Sequence, residues 1–362
     1  MSPRVAGIDP GTVSFDVCGL DGGELHFEET FVSSEVGADP KPFVEAIVQH
    51  GPLDLVLGPA GYGLPLVPAS RIGPAEVSLM LLLRKEEPGA RGGIAGMRRI
   101  IQALVEAGLP VIFGPGVIHL PTVPAHRKWN RIDMGTADKV GSVALCIDDQ
   151  VRRLRVPYHE ASFIMLELGG AFSAAVAVDQ GQVTDGIGGT SGPIGAQSCG
   201  ALDGELAYLL GPSLSRATLF AGGALNPRGD RDLASAAALA ALRRDSSLRD
   251  GWEAIEESAT KAVLALTATL PSPREVLVAG RLAQAPGLLD ALARRLRQIA
   301  PVRPVAGLGS RAKAAAQGAA LLADGLAGGA HAPLVECMRL REARGSALDY
   351  LRVPGSGRIQ LA

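Results

Sequence analysis

Asp9 and Glu167 are each followed two residues later by a glycine, in "GIDPGTVSFD" and "LELGGAFSAA". A carboxylate beside a glycine loop suits phosphate chemistry. The carboxylate offers hard oxygen to Mg²⁺, directly or through water. Glycine lets the backbone come close to an anion, so that successive N–H groups converge on it. Gly11 and Thr12, with Ser14, would form one such loop; Gly169 and Gly170, with Ser173, would form another. No GxxxxGK[ST] run occurs, which excludes a P-loop as the phosphate grip.

The two loops belong to a longer repeat. Residues 5–25 read "VAGIDPGTVSFDVCGLDGGEL" and residues 163–183 read "FIMLELGGAFSAAVAVDQGQV". Aligned without a gap, Asp9 falls on Glu167, Gly11 on Gly169, Asp21 on Asp179 and Gly23 on Gly181. Each copy reads as a strand, an acid with a glycine loop, a second strand and a tight turn. Duplicated halves facing each other across a cleft would set both loops on one triphosphate. Phosphoryl transfer asks for such a pair, because its catalysis is mostly positioning and charge stabilisation.

The elements that must hold these loops follow from the hydrophobic pattern. β-Branched runs alternate with Ala/Leu/Arg-rich helical stretches, the mark of an α/β protein. Strands are expected near 4–8, 15–20, 24–31, 53–58, 161–168, 173–178 and 274–280, with short ones at "VIFG" and "VRPVAG". Helices are expected near 41–50, 230–243 and 250–269, and over "GGIAGMRRIIQALVEAGLP", "GLLDALARRLRQIA" and "SRAKAAAQGAALLADGLAGG". The helix expected over 136–147 carries an Ala/Gly/Ser face suited to close packing. A boundary near 150 gives domains 1–150 and 151–330, followed by an extension over 331–362.

With 362 residues, 47% hydrophobic and 20% charged, the chain has the composition of a folded, soluble protein of two domains. Its net charge of -2 gives no reason to expect nucleic acid or an acidic membrane as partner. Cys18, Cys146, Cys199 and Cys337 form no CxxC pair, which argues against a zinc site or disulfide framework and fits a reducing cytoplasm. The amino terminus enters a strand without the apolar region of a signal peptide, and the longest apolar runs are too short to span a bilayer. A cytoplasmic protein is expected.

"GIDPGTVSFDVCGL" and "LELGGAFSAAVAV" resemble the two phosphate motifs of the superfamily of acetate and sugar kinases, heat-shock chaperone ATPases and actin. "VLVAGRLA" sits where that superfamily's adenosine motif would, and "GSRAKAAAQGAALLADGLAGG" resembles its closing helix. Within the superfamily the chain looks most like the family of predicted butyrate kinases, through "RKWNRIDMGTADK", "GALDGELAYLLG" and the closing helix. The resemblance implies two ribonuclease-H-like, actin-like ATPase domains of duplicated topology around an ATP cleft. It implies an ATP- and Mg²⁺-dependent kinase whose leading acceptor is a short-chain carboxylate. Asp9 and Glu167 would then organise the metal. Gly11, Thr12, Ser14, Gly169 and Gly170 would hold phosphates, and Gly280, Arg281, Gly309 and Ser310 the nucleotide. Three departures stand out: Glu167 in place of aspartate, a lone Gly280 followed by Arg281, and no arginine and histidine pattern of true acetate kinases.

The transfer step is assigned to Asp138 or Arg131. Asp138, in "GTADK", either caps its helix or serves as a base, and as a base it favours a sugar or other hydroxylated acceptor. Arg131 follows His126, Arg127, Lys128, Trp129 and Asn130, a run that reads either as an anion site or as a solvated loop. His119 and Tyr62 are candidates for the acceptor pocket or for plain packing, and Lys313 for the nucleotide or for the surface. The glycine-rich "DGIGGTSGP" reads as a wrapping loop or a linker. The expected partner is a small-molecule acceptor, with a homodimer left open. A nucleotide-binding switch that phosphorylates nothing is the remaining alternative.

Overall fold

The computed structural model describes residues 2–84 and 93–362. It holds two mixed α/β units, one made of 1–132, 136–161 and 306–362, the other of 133–135 and 162–305. This division differs from halves cut near 150. The chain leaves the first unit after Ala161 and returns to it at Ala306, so the closing segment joins the amino-terminal strands.

In the first unit, β1 (Arg4–Pro10), β2 (Ser14–Asp21), β3 (Glu24–Val32), β4 (Leu55–Gly58), β5 (Val67–Pro68) and β6 (Val111–Phe113) form one sheet. Their order is β3-β2-β1-β4-β6-β5. In the second unit, β7 (Phe163–Leu168), β8 (Ser173–Asp179), β9 (Gln182–Ile187), β10 (Val276–Ala279) and β11 (Val302–Pro304) run in the order β11-β10-β7-β8-β9. Each sheet is an antiparallel meander of three strands extended by parallel strands from its first member, and in the first sheet β5 adds antiparallel to β6 at the far edge.

The repeat read from the sequence is a repeat of backbone. Asp9 pairs with Asp16 across β1 and β2, and Glu167 pairs with Ala174 across β7 and β8, at the same aligned positions. The ladder shifts between Gly19 and Leu20 in one meander, and between Ala177 and Val178 in the other, again the same positions. Both second turns are left-handed at two successive residues: Gly22 and Gly23 at φ 60 and 88, Gln180 and Gly181 at φ 52 and 71. That geometry matches the twist of a two-residue hairpin, and glycine in each copy removes its steric cost.

One core lies between the first sheet and the helices Lys41–Gln49 and Gly93–Glu106, and joins Ala6, Ile8, Val17 and Val56 to Phe43, Ile47, Ile100 and Leu104. The second helix begins one residue into its expected stretch; Gly92 lies outside the described residues. The second core joins Ile164, Leu166, Val276 and Val278 to Trp252, Ile255 and Val263 of the helix Arg249–Leu266 and to Leu288 and Leu292 of the helix Leu288–Leu296.

The closing helix, Ala314–Leu326, packs on β1, β2 and the helix Ala137–Leu154. Its small residues decide how close it comes. A Cβ added to Gly7 of β1 would lie 2.2 Å from the Ala320 nitrogen, and one added to Gly318 would lie 1.8 Å from the Gly141 carbonyl oxygen. These are backbone-to-backbone approaches that any side chain would forbid. After it come a short helix, Ala332–Cys337, and a turn at 340–342. Among the described residues no helix is long and apolar enough to cross a membrane.

Candidate functional site

β1 ends in the first unit with Asp9 and the loop before β2, and both are fixed from below by Lys313. The Lys313 ammonium stands 2.6 Å from Asp9 Oδ2, 3.0 Å from Asp16 Oδ2 and donates to the Ser14 carbonyl at 2.7 Å. Ser14 Oγ and Thr30 Oγ1 donate to the two oxygens of Asp16 at 2.8 and 2.9 Å. Ser33 Oγ donates to the Gly11 carbonyl at 2.6 Å. Gly11 is required here by contact: its Cβ would lie 2.0 Å from the Lys313 nitrogen and 2.7 Å from the Ser14 carbonyl oxygen. Thr12, at the loop's tip, is exposed.

Asp138 lies in the first turn of the helix Ala137–Leu154. Lys139 Nζ is 2.5 Å from Asp138 Oδ2, and the Thr136 hydroxyl donates to Oδ1. Burial works to raise the Asp138 pKa, but Lys139, the Thr136 hydroxyl and Lys313 outweigh it and hold the carboxyl below its ordinary range. Burial pushes Asp9 the other way, up to about 6, with the Asp138 charge adding to the rise and Lys313 opposing it. Burial would lower Lys313, yet the Asp9 and Asp16 carboxylates keep it above an ordinary lysine. Asp138 is thus the carboxylate kept ionised, and Asp9 the one that gains most from a further positive charge.

A hollow of about 20 Å³, room for about one water, opens at the carboxyl ends of β1, β4 and β6, where open α/β sheets place their ligands. Ile8, Pro10, Leu57, Ala60 and Leu322 give it apolar walls, and Asp138 is the one charged residue among those lining it.

The basic run before Asp138 is tied into the fold at Lys128, Trp129 and Asn130. Lys128 is buried, donates to the Leu120 carbonyl at 2.8 Å and lies 4.9 Å from the centre of the Tyr350 ring. Burial, with the Arg344 charge, pushes its pKa down to about 8. The Arg352 guanidinium stacks 3.4 Å from the Trp129 ring, and Asn130 donates from its backbone to Tyr350 and accepts from the Arg352 backbone. The carboxyl-terminal extension therefore holds this run as structure. Arg131 is exposed and does not line the hollow, so the transfer role expected of it has no support in its placement. His119 is 1% exposed, and burial pushes its pKa down to about 4, so it packs as a neutral ring. Tyr62 is half-buried and also lies outside the hollow's lining.

Gly309 and Ser310 precede the closing helix, as the sequence suggested, but the anion at that end is the protein's own. The Glu28 carboxylate of β3 accepts from the backbone N–H groups of Ser310, Arg311 and Ala312 at 3.1, 3.2 and 3.0 Å. The Gly309 N–H donates to Gln317 Oε1 at 3.4 Å. In this structure the N–H groups of both residues are engaged within the protein.

In the second unit, Glu167 and Gly169 end β7, and Gly280 ends β10 beside them, since Ala279 pairs with Glu167. Gly280 has φ 92, and its Cβ would lie 2.4 Å from the Leu168 carbonyl oxygen. The expected second phosphate loop and adenosine glycine are thus neighbours in one sheet. Gly169 N–H donates to the Phe172 carbonyl at 2.8 Å, which closes the loop around Gly170. Arg281 turns away, its guanidinium bonded to the Ala234 carbonyl. The glycine-rich run is no loose linker. Asp133 Oδ2 accepts from the Thr190 backbone and hydroxyl, both at 2.9 Å, and Oδ1 accepts from the Gly135 N–H at 3.1 Å.

Sequence reasoning missed Asp16, Glu28 and Asp133. Asp16 carried a signal: a carboxylate 1% exposed inside an apolar strand must have a partner. Among the described residues no group of three or more His, Cys, Asp or Glu gathers to hold a metal.

The chain belongs to the family described as "Protein of unknown function (DUF1464)", whose model matches residues 7–353. No curated protein matches the sequence. Among solved structures, a propionate kinase from Francisella tularensis is similar over 88% of this chain and 99% of its own, at 13% identity and a TM-score of 0.60. The acetate kinase from Entamoeba histolytica is similar over 83% and 96%, at 10% identity and a TM-score of 0.56. That of Porphyromonas gingivalis gives 84%, 96%, 12% and 0.55. The fold is therefore the duplicated actin-like ATPase fold found in acetate kinase.

Proposed function

We propose that this DUF1464 member is an ATP-dependent small-molecule kinase acting on a hydroxyl acceptor, with Asp138 as the base. The β1–β2 loop of the first unit and the β7–β8 loop of the second are each read as phosphate-binding elements, with Asp9 and Glu167 as their candidate metal ligands. Magnesium bound with ATP would supply charge neutralisation at the phosphates. The observation that carries the acceptor class is the apolar hollow with Asp138 as its charged lining residue. A hydroxyl there meets a carboxylate that Lys139, Thr136 and Lys313 keep ionised, so it can accept the hydroxyl's hydrogen bond and orient it for attack. A carboxylate acceptor is already ionised and would meet a like charge, with no guanidinium in the lining to receive it.

A short-chain carboxylate is the second reading. It is supported by the resemblance to butyrate kinases and by the likeness in fold to acetate and propionate kinases. A nucleotide switch without acceptor is the third.

ATP with Mg²⁺ should raise the melting temperature, and Asp9→Ala should remove that shift; unchanged melting of the intact protein at millimolar ATP defeats the nucleotide claim. ADP release should be stimulated by a member of a panel of sugars and alcohols. Asp138→Asn should lower that stimulated rate by about 10²–10⁴-fold. Hydroxamate formation from short carboxylic acids, undiminished in Asp138→Asn, would transfer the assignment to the carboxylate. ATP turnover indifferent to every acceptor would favour the switch.

A further inference from the structure

The oxygens around Lys313 Nζ form the kind of donor set that hard cations use: two carboxylate oxygens and a backbone carbonyl, at 2.6, 3.0 and 2.7 Å. An ammonium has three protons to donate, and here three oxygens receive them. The residue is fixed at its other end as well. Its chain neighbours Ser310, Arg311 and Ala312 bind the Glu28 carboxylate through their backbones, and the closing helix starts immediately after it. Gly11 lies over the ammonium so closely that no side chain fits between them.

We propose that Lys313 is a tethered cation filling an oxygen site formed by Asp9, Asp16 and Ser14, so that this site takes no free divalent ion. In this role Lys313 is a positioning residue. It neutralises the two acids from one side and holds the β1–β2 loop in shape before any ligand arrives. Asp9 then meets a divalent ion only on its remaining oxygen, and only one that arrives with its own anionic ligand. Removing the ammonium leaves two buried carboxylates and a carbonyl facing one another, a set that a small divalent ion would enter.

The inference concerns metal alone and stands apart from the proposed transfer. Binding of Mn²⁺ to the nucleotide-free protein, read by electron paramagnetic resonance of the free ion, tests it. Wild type should show no site at this position, and Lys313→Met should gain one that binds at least about tenfold tighter than any wild-type binding. Asp16→Asn added to Lys313→Met should remove the gained site. Lys313→Arg, which keeps the charge, should behave as wild type. Should Lys313→Met not fold without metal, Mn²⁺ should restore cooperative melting where sodium chloride of equal ionic strength does not. Equal Mn²⁺ binding by wild type and Lys313→Met, or binding by neither folded protein, overturns the proposal, as does failure of Mn²⁺ to restore an unfolded variant.

Discussion

The meander β1–β3 and the meander β7–β9 share turn, ladder shift, strand register and two aligned acids, yet they differ at many of the positions that set charge and bulk. Where β1 has Gly7, β7 has the fully buried Met165. Where β2 has Asp16, β8 has Ala174, and where one loop has Thr12 the other has Gly170. The comparison separates two kinds of information. Backbone shape is set by a few glycines and by alternation, and survives wholesale change of side chains. Electrostatics and helix distance are set by single residues whose partners lie far away in sequence.

Writing the second meander into the first should therefore break it, most severely at Gly7. The closing helix touches the β1 backbone there, and Gly7→Met would drive a side chain into Ala319 and Ala320 main-chain atoms that a Cβ alone would meet at 2.2–2.4 Å. Overpacking usually costs about 1–3 kcal/mol where neighbours can yield; backbone cannot, so a loss above about 3 kcal/mol is expected. Urea denaturation or soluble yield checks it. A variant within about 1 kcal/mol of wild type would mean that the helix can lift without cost.

Asp16→Ala comes next. It would remove one carboxylate from Lys313 and leave the hydroxyls of Ser14 and Thr30 without the acceptor they use here. Breaking a buried ion pair from one side costs about 3–5 kcal/mol, and Asp9 remains as a partial partner, so the lower end of that range is expected. Lys313→Met added to Asp16→Ala should cost less than the two changes summed, because both break the same contacts. Strict additivity in a double-mutant cycle would show that the residues do not interact in solution.

How much of this could be read in the sequence follows the same division. The repeated hairpins were legible because glycine turns and alternation are local signals, and they placed Asp9, Gly11, Glu167 and Gly169 at strand ends. The Ala/Gly/Ser face of the helix Ala137–Leu154 was legible too, but not that Gly318 would be its partner. Nothing local shows that residues 306–362 rejoin the first unit, or that Lys313 reaches Asp9. Gly309 and Ser310 were rightly placed before a helix, but nothing local shows that the Ser310 N–H is met by a carboxylate from β3, that of Glu28. The basic run 126–131 stayed ambiguous in the sequence because composition cannot show that Tyr350 and Arg352 pack on Lys128 and Trp129.

Acidity sharpens the contrast at Asp9, through the sign of a slope. Its folded pKa is raised, mainly by burial, from 3.8 to about 6. Between those values the folded chain keeps a proton that the unfolded chain releases, so stability must fall as pH rises across the window. The contribution of Asp9 is fully present below pH about 4 and lost as pH passes about 6. Asp9→Asn cannot titrate, so the stability of wild type relative to this variant should decline from pH 4 to pH 7. A relative gain over that range would show Asp9 to be better neutralised by Lys313 than its burial implies.

The smallest effect is expected at the outer end of the same strands. Arg4 Nη2 meets Asp21 Oδ2 at 2.7 Å, with the two side chains 36% and 43% exposed. The repeat has Ser162 and Asp179 at these positions, so Arg4→Ser copies the second meander once more. An ion pair this open to water contributes about 0–1 kcal/mol, because hydration competes for both charges and ordering the long side chain costs entropy. The change in urea midpoint should be correspondingly slight and should shrink further in about 1 M salt, where the screening length falls to about 3 Å. A loss of more than about 2 kcal/mol would mean that this bridge, and not the glycine turn beside it, holds the first hairpin in register.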